Sequence, residues 1–142
     1  MCSARVPVRA RKFFFERYIF LTNECVLFMA RYEHLPVYRK AFDLCIYFEK
    51  LVRNFSKYDK YTLGSDLRNK SRAIACQIMR ANSVPDKKNE LVELVALIEE
   101  LKLVIRLCKE AGAFKKFSSY EYSSGLIVDL GKQSQAWLNS QK

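Results

Sequence analysis

The segment from Lys60 to Asn82, KYTLGSDLRNKSRAIACQIMRAN, constrains the chain most, because at 100° per residue it divides into an apolar side and a basic side. Leu63, Leu67, Ile74, Ile78 and Ala81 share one stripe. Arg68, Arg72 and Arg80 lie on the opposite half with Asn69 and Cys76, and Asp66 is the only acid in the segment. One side is suited to a core. The other offers fixed positive charge to a partner.

Three further stretches carry the same helical period. From Pro36, a good first-turn residue, Val37, Ala41, Leu44, Phe48, Leu51 and Phe55 fall on one face, and this helix is expected to end near Asn54 to Ser56. SVPDKKN breaks the chain after Asn82, with Asp86 placed near the next start. Between about Lys87 and Ala111 the stripe is Leu91, Leu94, Ile98, Leu101, Ile105 and Cys108, with Gly112 as a left-handed stop. The last helix is expected to open on a Ser118 to Glu121 capping box and to place Tyr120, Ile127, Leu130, Ser134 and Leu138 on one face. Four such helices joined by short loops predict an all-α fold, an antiparallel up-down-up-down four-helix bundle. RYIF and GLIV are locally compatible with strands, but neither competes with this pattern.

Residues 1–28 read differently. Arg5, Arg9, Arg11 and Lys12 precede FFFERYIFLTNECVLF, yet Glu16, Arg17, Asn23 and Glu24 interrupt that run too early for a membrane helix. We expect an N-terminal extension over 1–28, arising from a start upstream of the true one at Met29, and a bundle domain over 29–142. The 142 residues, half of them hydrophobic, suit one such domain.

The net charge is +10, and residues 29–142 alone carry 20 Lys and Arg against 13 Asp and Glu. A surface this basic favours nucleic acid or another polyanion. Arg68 and Arg72, four apart, are the leading candidates for phosphate contact. Arg53, Lys57 and Lys60 surround the first loop, Arg80, Lys87 and Lys88 the second, and Lys115, Lys116 and Lys132 extend the field. Tyr38, Tyr47, Tyr58 and Tyr61 are placed to stack on unpaired bases, although packing is the default for such rings. Trp137 suits a bundle cap or a protein contact. Phe42, Ile46, Leu97, Val104 and Leu107 lie off the main stripes and form the expected oligomer interface.

Chemistry has little support in the sequence. His34 is the only histidine and precedes a proline, with no nucleophile, metal or phosphate-loop pattern around it. Glu99 and Glu100 are adjacent and do not converge, while Glu93 and Glu100 share a face without a histidine. Cys2, Cys25, Cys45, Cys76 and Cys108 are odd in number and contain no CxxC pair, so a reducing cytoplasm fits and neither disulfides nor zinc are expected. Cys45 and Cys108 read as small core residues. The expectation is a protein without metal, cofactor or small-molecule substrate, and not an enzyme.

A set of short blocks also carries a likeness: Leu35-Pro36-Val37-Tyr38, Lys60-Tyr61-Thr62-Leu63-Gly64 with Asp66-Leu67, Arg80-Ala81-Asn82, Glu100-Leu101-Lys102, Arg106-Leu107-Cys108, Gly131-Lys132 and Trp137-Leu138. In order and spacing these resemble the accessory variability determinant (Avd) proteins of diversity-generating retroelements, over about residues 33–140. Those proteins belong to a wider four-helix-bundle family with the proteins of ribosomal-RNA intervening sequences. The Tyr-Thr-Leu-Gly and Arg-Ala-Asn blocks favour the retroelement branch. The resemblance implies a bacterial or phage protein, a basic, ring-shaped homopentamer. It would bind the element's reverse transcriptase and template RNA, or DNA or an RNA-DNA hybrid, and support mutagenic complementary-DNA synthesis. Two other readings stay open: an intervening-sequence-type bundle, and a structural or protein-interaction oligomer whose charge is incidental.

Overall fold

The computed structural model describes residues 32–141, and the chain divides between His34 and Leu35, so the unit of interest runs from Leu35. The expected boundary near Met29 lies outside the described residues. Those residues form helices and no strand: α1 Pro36–Val52, the short α2 Lys57–Tyr61, α3 Leu63–Ser83, α4 Lys88–Glu110 and α5 Phe117–Asn139. GLIV lies within α5. No described helix is long and apolar enough to cross a membrane.

The four long helices make a helical bundle in which α1 packs on α3 and α5, and α4 packs on the same two. α1 and α4 therefore sit across the bundle diagonal from each other. The sequence stripes become its core: Ala41, Leu44 and Phe48 of α1, Leu67, Ile74 and Ile78 of α3, Leu91 to Cys108 of α4 at helical spacing, and Ile127 and Leu130 of α5. Burial of each large apolar side chain contributes about 1.5–3 kcal/mol. Leu51, Leu63, Tyr120 and Leu138 are only partly buried, while Val52 and Gly64, off the expected stripes, are fully enclosed.

Local chemistry explains the differences from the expected boundaries. The Lys60–Asn82 segment is not one helix. Ser56 caps α2 by accepting from the Asp59 amide at 3.1 Å while its hydroxyl donates to Asp59 Oδ2 at 2.6 Å, and this nucleates a separate turn. Thr62, at φ −106° and ψ −95°, then leaves the helical region before α3 starts. The break lets Gly64 meet α1: a Cβ there would lie 2.5 Å from Val52 Cγ1 and 3.1 Å from the Asp59 carbonyl oxygen. Lys60 consequently belongs to α2 and not to the arginine face of α3.

Gly112, at φ +73°, ends α4 as expected. Its N–H donates to the Lys109 carbonyl at 3.1 Å and that of Ala113 to Cys108 at 2.9 Å, the paired bonds of a Schellman stop. The Ser118 to Glu121 capping box does not form. α5 is capped two residues earlier, at an extended Lys116, and has no side-chain cap. Aromatic contacts set that start instead, with Tyr120 lying 5.7 Å from Phe117 and 6.2 Å from Phe114 between ring centres.

Candidate nucleic-acid interface

The expected arginine pair is present, and α1 supplies a residue that organises it. Glu49 faces α3, where its Oε2 lies 3.1 Å from Arg68 Nε and its Oε1 accepts a hydrogen bond from Arg72 Nη2. The Arg68 contact is an ion pair without hydrogen-bond geometry, which leaves that nitrogen buried with charge compensation only. Arg72 is the more exposed of the two. The hydrogen bond from Arg72 holds the Glu49 carboxyl below its ordinary range against a smaller opposing effect of burial, and the charges of Arg68, Arg72 and Arg53 add to it. Two guanidiniums thus contact one carboxylate and a third, Arg53, adds its charge from the end of α1, a local surplus of about two charges.

Arg53 sits at the C-terminal cap of α1, which carries this field towards one end of the bundle. The α1–α2 turn and the α4–α5 loop meet there around a cleft of about 370 Å³ lined by Leu51, Asn54, Phe55, Lys115, Lys116 and Ser119. Lys57 and Lys60 stand on the adjoining α2. Of the four tyrosines singled out in sequence, two pack: Tyr38 stacks on Phe42, and Tyr47 lies edge-on to Tyr122 at 4.8 Å. The other two do not follow the packing default. Tyr58 and Tyr61 on α2 are 78% and 72% exposed.

The remaining basic candidates lie elsewhere. Arg80 is about 18 Å further along α3 than Arg68 and donates to Gln77 Oε1 at 3.4 Å. Lys87 serves the backbone, donating to the Val84 carbonyl at 2.8 Å and closing the end of α3. Lys88 is exposed at the start of α4, and Lys132 lines a shallow groove between α4 and α5 with Glu99 and Lys102. The eleven basic positions are therefore not one surface. Arg53, Arg68, Arg72, Lys57, Lys60, Lys115 and Lys116 share a side or end with one another, whereas Arg80, Lys87, Lys88 and Lys132 do not join them.

Two polar residues escaped sequence reasoning. Glu49 stands four before Arg53 on α1, a spacing that marks them as neighbours, but its reach to α3 needs the packing. Gln77 sits on the apolar side of α3 and is 1% exposed, donating to the Glu90 carbonyl at 3.0 Å and its carboxylate at 2.7 Å. Glu99 and Glu100 pair within the chain, with Lys102 at 2.6 Å and Lys70 at 2.7 Å.

Among the expected interface residues, Phe42, Ile46 and Leu107 are exposed and Leu97 is partly buried against the core. Val104 is a correction: at 6% exposure it belongs to the core of its own chain and has no surface left for a partner. Val92 and Leu103 were missed; Leu103 and Leu107, one turn apart, make an exposed apolar pair on α4, and Val92 is exposed near its start. Among the described residues no group of three or more His, Cys, Asp or Glu is placed to hold a metal ion. Cys108 is buried and its thiol is pushed up to about 12 by loss of solvation; Cys45 is also raised by burial, and Cys76 is exposed. The chain matches no protein-family model and no curated protein.

Proposed function

We propose that this chain is a non-catalytic accessory subunit of a diversity-generating retroelement, of the accessory variability determinant type, which binds template RNA and the element's reverse transcriptase in the cytoplasm. The observation that carries the RNA part is the Glu49-centred set of Arg53, Arg68 and Arg72, held on two packed helices and continued by lysines and exposed tyrosines at one bundle end. Guanidiniums on a rigid support suit phosphate, and exposed rings suit unpaired bases. The sequence blocks that resemble the family supply the polymerase part.

In this reading the bundle runs up-down-up-down and assembles into a ring, for which a pentamer is the family's number. The exposed apolar residues support it. Phe42 and Ile46 on α1 and Val92, Leu103 and Leu107 on α4 occupy helices across the diagonal, so a contact joining the two patches is head-to-tail. Such contacts close into rings or extend as filaments, and a ring repeats each phosphate site into a multivalent surface. The same exposed apolar residues favour the second reading, a structural oligomer with incidental charge.

Salt and charge reversal separate the two. If about four phosphates of a single-stranded RNA are neutralised, log affinity falls against log salt with a slope of roughly −3. Arg68→Glu with Arg72→Glu weakens binding at least tenfold while the helical circular dichroism is kept. Unchanged binding in that variant removes this face from the interface. No RNA binding at low salt, with a stable oligomer in light scattering, leaves the structural reading.

A further inference from the structure

The cleft at the α1–α2 end has a chemistry distinct from that of the arginine face. Its apolar wall is the partly buried Leu51 with the small accessible part of Phe55, a core residue 6% exposed and edge-on to Phe114 at 5.9 Å between ring centres. Asn54 and Ser119 add an amide and a hydroxyl, groups that both donate and accept. Lys115 and Lys116 stand at its side, neither paired with a described carboxylate, and no acid is among its described lining. A ligand that fits has a flat apolar face, hydrogen-bonding edges and a negative charge. The volume of about 370 Å³ lies in the range of small-molecule sites.

We propose that this cleft is a nucleotide pocket: it takes one unpaired base of the bound RNA strand against Leu51 and Phe55, with the flanking phosphate on Lys115 and Lys116. The inference rests on the RNA-binding reading and adds a base-reading cleft to the arginines and to the exposed rings of Tyr58 and Tyr61. Continuity along the chain supports it. Asn54, on the rim, directly follows Arg53 of the arginine face, so a strand held by Arg72, Arg68 and Arg53 is led to the opening. Asn54 reads the base edge, which an arginine-only surface does not do.

The test compares two labelled oligomers of equal length and charge, a single-stranded oligoribonucleotide and its abasic counterpart, by fluorescence anisotropy on the full chain and on the full chain carrying Tyr58→Ala with Tyr61→Ala, which removes the exposed rings. The intact strand binds about tenfold more tightly, the scale of one stacked base. Added to the tyrosine variant, Asn54→Trp, which places a bulky ring over the cleft from an exposed position, removes the remaining preference for the intact strand. Lys115→Ala with Lys116→Ala weakens both strands more than the charge-matched Lys88→Ala with Lys132→Ala. Equal affinity of the wild-type chain for the two strands overturns the pocket while the phosphate reading stands, and needs no variant to be informative. Absence of binding to either strand at low salt overturns both. Free nucleoside monophosphate that displaces the strand as well as unlabelled strand does would reassign the cleft to a small nucleotide and also overturn the proposal.

Discussion

Replacing Glu49 by Gln keeps the shape of the side chain and removes the charge that Arg68 and Arg72 share. Both pairs are partly exposed, so solvent and salt reduce each to about 0.5 kcal/mol, and the variant is expected to lose about 1 kcal/mol at pH 7. For a domain of this size that lowers Tm by about 3–5 °C. The pH dependence identifies the cause. The folded-state pKa of Glu49 is held below its ordinary 4.5, so its contribution is complete above the unfolded value and is lost as pH falls through the folded one. Urea unfolding of both proteins should therefore differ by about 1 kcal/mol at neutral pH and converge at a pH below the folded-state value, all other carboxylates being common to the pair. A gap of the same size at both pH values would refute the argument, because the loss would then come from packing and not from charge. RNA binding should move the other way. A phosphate seated on both guanidiniums lies about 7 Å from the carboxylate, a repulsion of about 0.6 kcal/mol in water, so Glu49→Gln binds about threefold more tightly at low salt. Weaker binding would mean that Glu49 matters chiefly by orienting the arginines.

Three other outcomes follow from the packing. Gly64→Ala places a methyl group against Val52 Cγ1 and the Asp59 carbonyl, so it costs about 1–2 kcal/mol in chemical unfolding despite the helix propensity of Ala; adding Val52→Ala should show less than additive loss. Ser134 is fully buried and its hydroxyl has no partner among the described residues, so Ser134→Ala is expected to leave Tm unchanged or raise it by a few degrees, and a fall would reveal a partner for that hydroxyl. In the native protein at pH 8 a thiol reagent should modify Cys76 quickly and Cys108 only after denaturant, which mass mapping of labelled peptides resolves.

Periodicity alone carried the fold class. Apolar side chains repeating every three or four residues have only one way to leave water together, and the stripes of α1, α3, α4 and α5 became the core nearly residue for residue. Gly112 was equally legible, since a left-handed stop is a property of the residue itself. The start of α5 was not, because the Ser118 capping box competed with aromatic contacts of Phe114, Phe117 and Tyr120 that no local pattern encodes. Val104 illustrates the same limit. A wide stripe reads alike whether its edge meets a partner or its own bundle, and only the helix neighbours decided in favour of the core.

The sequence by itself determined that this is a basic chain with a helical bundle from Pro36 onward and with Arg68 and Arg72 on one face of one helix, because these statements follow from composition and a fixed rotation per residue. Only the tertiary structure decided what those arginines meet. Glu49 lies on a different helix, and Asn54 and Lys115 are separated along the chain by most of the bundle, so their meeting depends on which faces pack and where the loops return. Contacts between helices are set by burial of the shared core, and the polar groups at its rim are brought together as its consequence.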